Sequence, residues 1–444
     1  MKILHIVTVA FVLPFFRGSA SFLRQRGFDP EFCSSPYEGK TEEFFAESHT
    51  VLHQVPIQRD IRPMKDLMTL LRLFRLMRKT KPVIVNASTP KAALLGILAA
   101  RMAGVPIRVF LHRGLRLETT SGLKRFALWW MEKISCLCAT RIICISASLR
   151  RQLLELKLAP GEKLTVLRSG SSNGLDSARF SITRENIREA CDLRERYAIP
   201  SDAPVIGFMG RIVKDKGMAE LVGVFQKVSS AYPDARLILV GPEESGDPVE
   251  KESLQWLRQS PRVVFAGLCL HVPPFYHLFD VLVFPSYREG FGNVILEAAS
   301  LGVPAVGFRA TGVVDAIDDG ETGTIVPMKN CDAFADAVLC YLQDQDLRIR
   351  HGINARKRVI RDFQPPLLWE AYYREYCALL RKKKIPIPVP EREPETVPII
   401  DADEDDQRFR RWYAVREILL KNADRNEICE RLGVDGDEIR RFLK

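Results

Sequence analysis

The chain has 444 residues, of which 46% are hydrophobic and 27% are charged. This length suits two or three domains, and the composition excludes a protein that crosses a membrane many times. Lysine and arginine outnumber aspartate and glutamate by 65 to 55. The resulting charge of +10 favours an anionic partner such as phosphate, an acidic lipid surface or nucleic acid. The ten cysteines are scattered, which is typical of reduced, buried thiols.

The chain begins with a lysine and an apolar run, which together resemble an export signal. His5, Thr8 and Pro14 interrupt the run, and residues 2–7 suit a buried strand of a parallel sheet. We therefore expect no export signal here, and no later segment has the apolar length of a membrane span.

The first half of the chain alternates strand-like and helix-like segments. Apolar runs predict strands at 83–86, 107–111 and 141–145, with helices near 91–103 and after Ser146. This alternation is typical of a doubly wound parallel sheet. We predict a Rossmann-like domain over residues 1–180, followed by a charged interdomain linker over residues 181–202.

The second half repeats the pattern. Further strand-like runs, each followed by glycine or proline, lie at 205–209, 236–240, 263–266, 281–284 and 305–308. They predict a second Rossmann-like domain over residues 203–360 and a crossover helix over residues 361–384. Two α/β domains in tandem leave a cleft at the carboxyl ends of their strands, where ligands of open α/β sheets bind.

The last sixty residues differ in composition. Five prolines and the acidic run Asp401–Asp406 predict a linker over residues 385–406, with the acidic run solvated. Residues 407–444 regain helical periodicity and have the spacing of a helix-turn-helix around Gly433. Arg440, Arg441 and Lys444 could meet phosphates. The short last helix favours a module that docks to protein over one that binds nucleic acid.

Two motifs in the second half have the chemistry of a phosphate site. Gly210 and Arg211 end a strand, and Lys216 follows at the start of a helix, so cations and mobile amides meet at a strand-to-helix turn. Farther on, a glycine-rich loop containing Glu289 precedes a second helix containing Glu297. The amino end of that helix directs unpaired N–H groups at a ligand.

These elements resemble the retaining glycosyltransferases of family 4 in order and spacing. The matching motifs are Gly-Arg-x4-Lys-Gly at 210–217, Pro285-Ser286, Glu-x7-Glu at 289–297 and Asp319-Gly-Glu-Thr-Gly323. The resemblance covers about residues 1 to 380 and is looser in the first half. It implies the GT-B fold, in which two Rossmann-like domains face a cleft. The helix-turn-helix-like segment would be a small three-helix appendage to that α/β fold.

The resemblance also implies roles for single residues. Arg211 and Lys216 would grip the donor diphosphate, Glu289 would bind the transferred sugar and Glu297 the ribose. The implied catalytic residues are His112, Arg211, Lys216 and Glu289. The implied donor-binding residues are Gly18, Gly210, Arg211, Lys216, Glu289, Gly290, Phe291, Gly292, Asn293, Val294 and Glu297. We expect no cofactor and no metal, because cations and helix dipoles can stabilise the leaving diphosphate.

Two features depart from the family pattern. Many relatives have a Gly-Gly loop after the first strand, whereas this chain has Arg17-Gly18-Ser19. Relatives often place a histidine directly before the glycine of a later loop, and here His112 and Arg113 precede Gly114. Either His112 or Arg113 could therefore lie near the reacting centre, and we choose His112.

Basic and apolar residues also mix in the first half. Residues 65–79 predict a basic amphipathic helix, and a second patch combines cations with aromatic side chains. The candidate acceptor and membrane residues are Lys91, Arg72, Arg75, Arg116, Trp129 and Trp130. Attachment to an anionic membrane is one explanation, and an apolar stripe that packs into the core is the other.

The sequence thus predicts a cytoplasmic enzyme on the inner face of the membrane. It would move a hexosyl group from a nucleotide sugar, with UDP favoured and GDP the alternative base, to a polyprenyl-diphosphate-linked glycan in bacterial surface polysaccharide synthesis. Two other functions stay open: a nucleotide-sugar epimerase of the same architecture, and a non-enzymatic regulator that acts through the C-terminal segment.

Overall fold

The computed structural model describes residues 1–16, 18–36, 50–58, 62–244, 246–390 and 393–443. The chain forms two compact units. Unit 1 comprises Met1–Gly174 and Pro365–Ile399, and unit 2 comprises Leu175–Gln364 and Ile400–Lys444. Each unit contains one parallel sheet with helices, so the α/β class predicted from the alternating pattern is confirmed.

Unit 1 is built on a seven-stranded sheet in the order β3-β2-β1-β4-β5-β6-β7. Its strands are β1 Lys2–Ile6, β2 Asp29–Ser34, β3 Leu52–Gln54, β4 Ile84–Ser88, β5 Ile107–His112, β6 Arg141–Cys144 and β7 Leu164–Val166. Its helices are α1 Ser19–Arg24, α2 Pro63–Thr80, α3 Pro90–Met102, α4 Gly122–Cys138, α5 Ala147–Glu155 and, after unit 2, α14 Pro365–Lys382. The predicted first strand is β1, and the apolar residues that follow it form a 3₁₀ helix over Ala10–Phe16.

Unit 2 is built on a six-stranded sheet in the order β10-β9-β8-β11-β12-β13. The strands are β8 Val205–Met209, β9 Arg236–Val240, β10 Val263–Gly267, β11 Val281–Phe284, β12 Ala305–Phe308 and β13 Gly323–Val326. The helices are α6 Arg184–Arg196, α7 Met218–Ala231, α8 Lys251–Gln259, α9 Pro273–Leu278, α10 Asn293–Ser300, α11 Val313–Ala316, α12 Cys331–Gln343, α13 Gln345–Asp362, α15 Ala402–Lys421, α16 Arg425–Leu432 and α17 Gly436–Leu443.

The strand order gives each sheet a switch point, where successive connections leave in opposite directions. In unit 1 this point lies between β1 and β4, and in unit 2 between β8 and β11. Loops diverge at such a point and leave a crevice beyond the carboxyl ends of the strands. The strands around it are almost wholly buried, as near-continuous apolar runs require.

The segment predicted as an interdomain linker is mostly helical. Helix α6 occupies Arg184–Arg196 of this segment. The Thr183 side chain caps the helix by accepting from the amide of Asn186. Unit 2 includes the whole of residues 181–202. The charged residues that suggested a linker are the exposed face of a helix whose other face buries Ile187, Ala190 and Leu193.

The three predicted C-terminal helices are present as α15, α16 and α17, and they belong to unit 2 instead of forming a separate segment after a linker. Residues 400–443 belong to unit 2, whereas residues 365–399 belong to unit 1. The Gln364 side chain bonds both backbone groups of Ile400, at 2.7 and 2.8 Å. Asp401 then caps α15 by accepting from the amides of Asp403 and Glu404. The acidic run is therefore a helix start, where carboxylates complement the helix dipole.

Helix α15 attaches to unit 2 through buried charges as well as apolar contacts. Lys421 donates to Asp280 at 2.7 Å, and Arg348 lies 3.4 Å from the same carboxylate. Burial by itself raises the pKa of Asp280, but Lys421 and Arg348 lower it well below its usual value. The buried face includes Tyr413, Arg416 and Glu417, whereas Leu419 is exposed.

Helices α16 and α17 of the C-terminal segment are separated by a turn. The predicted turn is present, because Gly433 ends α16 in the left-handed conformation at φ 64°. Lys444, like Arg17, lies outside the described residues. In the part of the chain that the structure describes, no helix is long and apolar enough to cross a bilayer.

Two glycines within helices of unit 2 offer a test of this packing. A Cβ on Gly352 in α13 would lie 2.2 Å from the carbonyl oxygen of Gly302, whereas one on Gly223 in α7 meets its nearest atom at 3.9 Å. We expect Gly352→Ala to lower the free energy of unfolding by about 1–3 kcal/mol. Gly223→Ala should raise it by roughly 0.5–1 kcal/mol, because glycine weakens a helix interior. Denaturant titration of both variants measures the difference, and equal effects would contradict the described packing.

Candidate active site

The candidate donor site lies at the β8/β11 switch point of unit 2. The loop after β8 contains Arg211 and Lys216, and the loop after β11 contains Ser286 and Glu289. The two loops touch at Gly217, where an added Cβ would lie 2.1 Å from the carbonyl oxygen of Pro285. Gly217 also has φ 70°, so a side chain would be strained as well as obstructed.

Lys216 and Glu289 form the centre of this site. The ammonium of Lys216 forms an ion pair with Glu289 and lies 3.4 Å from the hydroxyl of Ser286. The Ser286 hydroxyl is in turn 3.3 Å from the same carboxylate. The Lys216 side chain is only 11% exposed. Two residues 73 positions apart, which we singled out for different parts of the donor, are thus brought into direct contact.

Arg211 has a different environment. Its guanidinium is 52% exposed and donates to Glu244 at 2.7 Å. An exposed ion pair of this kind holds its partners weakly and can open for a ligand. The backbone of Gly210 has φ 144°, and the Cβ of any residue at Gly241 would lie 1.9 Å from the Gly210 carbonyl oxygen. The loop conformation that presents Arg211 therefore depends on two glycines.

The sequence reading missed a second ion pair between the loops. Arg288 donates to the Asp215 carboxylate at 2.8 Å, and the Tyr287 amide donates to the Asp215 carbonyl oxygen at 3.0 Å. These contacts fix the loop next to Lys216 and Glu289. Asp215 directly precedes Lys216 in the sequence, and Arg288 directly precedes Glu289. These opposite charges next to two predicted site residues were the signal that could have indicated the pair.

The glycine-rich loop leads into α10, as predicted. Gly292 precedes the helix at φ 84°, and no side chain caps the helix. Asn293 is exposed at the helix start and Val294 is partly exposed, so their amides can face a ligand. Phe291 is different, because it is buried and packs its ring 5.4 Å from Phe363. Its place is the core, not the donor surface.

Gly290 lies where the loop passes close to a neighbouring turn. A Cβ on Gly312 would come within 2.8 Å of the Gly290 backbone and 2.7 Å of the Glu289 carbonyl oxygen. The Glu289 amide also donates to the Thr311 carbonyl oxygen at 2.9 Å. Backbone contacts therefore also hold the loop that carries Glu289, in addition to the Arg288–Asp215 ion pair.

Glu297 lies one turn into α10 and accepts a hydrogen bond from Tyr276 of α9 at 2.7 Å. Burial raises the pKa of Glu297 to about 7, although the Tyr276 hydroxyl and Arg179 lower it in part. Tyr276 is fully buried and has no local pattern that relates it to Glu297 in the sequence. It is a second partner that sequence reasoning missed.

In unit 1, Gly18 has a packing role. It has φ 77°, and a Cβ there would lie 2.3 Å from the Trp369 ring of α14. Glycine at this position therefore admits a tryptophan, which is a structural reason for it besides the predicted approach to a phosphate. The switch-point loops of unit 1 are joined by the hydroxyls of Thr8 and Thr89, which lie 2.6 Å apart.

The structure separates His112 from Arg113. His112 is 1% exposed, accepts from the Gly114 amide at 3.5 Å through Nδ1 and lies 3.2 Å from Glu132 through Nε2. Arg113 lies over the ring of Phe16, and its Nε and one terminal nitrogen have no hydrogen-bond partner. Burial lowers its pKa. Nε2 of His112 also has no hydrogen-bond partner, so the choice of His112 over Arg113 stays a prediction.

The candidate membrane residues fall into two groups. Arg72, Arg75 and Arg116 are exposed. Lys91 is buried and donates to Asp66 at 2.6 Å, so it is not part of the exposed basic surface. On α4, the Trp129 indole donates to the Leu156 carbonyl oxygen, whereas Trp130 is 47% exposed.

Comparison with known proteins identifies the family. Residues 203–344 match the family described as glycosyl transferases group 1, and residues 14–170 match the glycosyl transferase 4-like domain. The capsular polysaccharide biosynthesis glycosyltransferase CapM of Staphylococcus aureus is 39% identical over 383 residues, which are 86% of this chain and 98% of CapM. The chain belongs to this glycosyltransferase family. The family predicted from the sequence motifs is thereby confirmed.

Three further proteins are similar to this glycosyltransferase in sequence or in structure. A galactosyltransferase of Escherichia coli, named for transfer from UDP-Gal to alpha-D-GlcNAc-diphosphoundecaprenol, is 25% identical over 73% of this chain and 83% of its own length. Anabaena Alr3699/HepE, solved in complex with UDP-glucose, has a TM-score of 0.68 and 18% identity over 85% of this chain and all of its own. A glycosyltransferase from Rickettsia africae has a TM-score of 0.68 and 19% identity over 86% of this chain and 98% of its own. The GT-B fold of the glycosyltransferase is confirmed.

The raised pKa of Glu297 predicts a pH effect on this glycosyltransferase. The folded state keeps the proton up to a pH of about 7, whereas the unfolded chain loses it near the usual value of 4.5. Folding stability should therefore fall as pH rises between these values. Glu297→Gln removes this contribution, so the melting temperature of the variant relative to wild type should rise from pH 5 to pH 8. Parallel melting curves across that range would contradict the assigned pKa.

Proposed function

We propose that the chain is a retaining hexosyltransferase that uses a nucleotide-diphosphate sugar as donor. The observation that carries this proposal is the contact of Lys216 with Glu289 and Ser286 at the β8/β11 switch point. A cation held between two diverging loops, beside the uncapped amino end of α10, is suited to a diphosphate. A shielded ammonium next to the leaving group would stabilise the charge that develops on the diphosphate.

In this proposal the ion pairs of the site rearrange when donor binds. Lys216 would turn from Glu289 to the diphosphate, and Arg211 would exchange Glu244 for the same anion. Glu289 would then be free to accept hydrogen bonds from the hydroxyls of the transferred sugar. Glu297 would accept from the ribose hydroxyls, with Tyr276 holding its second oxygen. Transfer would need no metal, because two cations and a helix dipole face the leaving group.

A UDP-sugar is the proposed donor and a polyprenyl-diphosphate-linked glycan the proposed acceptor, with GDP the alternative base. The name of the Escherichia coli relative supports both choices, since it states UDP-Gal and a diphosphoundecaprenol acceptor. The name of CapM supports a place in capsular or other surface polysaccharide synthesis. Acceptor chemistry of this kind brings the enzyme to a membrane surface.

Unit 1 has a surface suited to that membrane. Exposed apolar side chains on α2 are Met64, Leu67, Met68 and Leu71, and those on α4 include Leu123, Phe126 and Trp130. Both sets lie toward the helix starts, which in a parallel α/β sheet are at the carboxyl edge of the strands. Exposed Arg72, Arg75, Arg116 and Lys124 lie on or next to the same helices. Exposed apolar side chains and cations on one helix favour an anionic lipid surface, so we propose peripheral attachment to the cytoplasmic leaflet.

The donor proposal predicts a selective thermal shift. UDP at about 100 times its dissociation constant should stabilise the protein by about 2.7 kcal/mol, with or without chelator. Arg211→Ala should raise the UDP dissociation constant about tenfold, the loss of one charge-assisted contact. Arg258→Ala is the matched control, because Arg258 forms a similarly exposed pair with the neighbouring Glu243. A shift that needs a metal, or one unchanged in Arg211→Ala, would count against the proposal.

The reaction type is tested on the product. A retaining transfer leaves the new linkage with the anomeric configuration of the donor, which proton NMR of the glycan product determines. Incubation of the nucleotide sugar without acceptor should return it unchanged, whereas an epimerase would convert it to a second sugar.

The membrane proposal predicts loss of lipid binding from two substitutions. The double variant Phe126→Ser and Trp130→Ser should bind anionic vesicles about a hundredfold more weakly than wild type, since each buried apolar side chain contributes about 1.5–3 kcal/mol. Leu268→Ser with Leu270→Ser is the control, because both leucines are exposed in unit 2. Equal co-sedimentation of the two double variants would place the lipid contact elsewhere.

A further inference from the structure

Helix α15 lies outside both segments matched by the family models, yet its side chains reach the helix that carries the proposed donor residues. The largest fully buried side chain of this helix is that of Arg416, a residue only 1% exposed. A guanidinium is costly to bury unless its donors are matched. The partners of Arg416 therefore show what the helix does for unit 2.

Arg416 bonds three backbone carbonyl oxygens from two helices of the donor site. Nε donates to His277 at 3.1 Å and Nη2 to Phe279 at 2.9 Å, at the end of α9. Nη1 donates to Leu301 at 3.3 Å, at the end of α10. Terminal carbonyls have no partner within their own helix, and a cation there complements the helix dipole. One side chain thus joins the carboxyl ends of α9 and α10.

A second guanidinium completes this arrangement. Arg356 of α13 donates to the carbonyl oxygen and the hydroxyl of Ser300, both at 2.8 Å, and so caps the last turn of α10. Asp405 in the first turn of α15 holds Arg356 through two bonds of 2.8 Å. The two ends of α15 therefore act on the same helix end, one directly and one through Arg356.

The same two helices meet again near the proposed ligand surface. Tyr276 of α9 donates to Glu297 of α10, four residues before Leu301. Arg416 and the Tyr276 hydroxyl are thus two links between one pair of short helices. If the link at Arg416 is removed, three buried carbonyls lose a donor, and α9 can shift against α10.

We propose that Arg416 is a positioning residue for donor binding: it holds α9 against α10 so that Tyr276 keeps Glu297 directed at the donor. The proposal rests on the donor site proposed above. The C-terminal segment would then be a built-in support of that site, with no need of an external partner for this role.

The test compares UDP binding in full-length Arg416→Ala, Arg416→Lys and Arg408→Ala by calorimetry across pH. Arg408 is the control, because it is an exposed arginine on the same helix. We expect Arg416→Ala to raise the UDP dissociation constant about tenfold, within the usual range of coupling between sites. Arg416→Lys should recover part of the loss and Arg408→Ala should match wild type.

Two further readouts separate positioning from general support. Tyr276→Phe removes a hydrogen bond that lowers the pKa of Glu297, so the pH midpoint of UDP binding should move upward. Arg416→Ala should move it in the same direction, and adding Arg416→Lys to Tyr276→Phe should weaken binding no further, since both act through one link.

The outcomes are distinguishable. Wild-type affinity and an unshifted pH midpoint in a folded Arg416→Ala protein would overturn the positioning role, as would fully additive losses in the double variant. If Arg416→Ala does not fold, Arg416→Lys and its double variant decide in the same way. Failure of the wild-type protein to bind UDP or GDP would instead overturn the proposed donor site, and this measurement comes first.

Discussion

The contact between the loops that follow β8 and β11 is the constraint on which the proposed donor site depends. Crossover connections in parallel sheets are right-handed, and the chain leaves these two neighbouring strands in opposite directions. Their loops therefore diverge from one point. Lys216 and Glu289 come from those two loops and meet there. Gly217 allows the loops to approach, because any side chain would collide with the Pro285 carbonyl oxygen. Sheet topology therefore brings together residues that the chain keeps 73 positions apart.

Buried charges, in addition to apolar packing, stabilise the helices that form the proposed donor site. Arg416, Arg356 and Lys421 place their cations on terminal carbonyls or carboxylates around α9, α10 and β11. Buried charges are stable only when hydrogen bonds match them, and such matching restricts the geometry more than apolar contacts do. A short helix such as α10 has few turns of its own to fix its direction. The external bonds at its carboxyl end supply that direction.

Sequence patterns predicted the regular parts well and the connections poorly. Strands β8, β9, β11 and β12 were located because buried parallel strands are short apolar runs ended by glycine or proline. Residues 181–202 and 401–406 were read as linkers because their composition is charged. Charge alone does not separate an exposed helix face or an N-capping run from a disordered segment. Similarly, the apolar residues of α2 divide into buried Leu73 and Met77 and exposed Leu67 and Leu71. The sequence does not separate the two groups, because burial depends on what each side chain packs against.

The sequence by itself determined the family and the two sheets and predicted the main donor residues, because local motifs with fixed spacing encode strand-to-helix turns. It also indicated a helical C-terminal segment with its turn at Gly433. Only the tertiary structure decided which charges pair, that His112 is buried beside Glu132, and that α15 belongs to unit 2. These facts depend on contacts between residues tens to hundreds of positions apart. No local pattern records such contacts, since each arises from the burial of both partners at once.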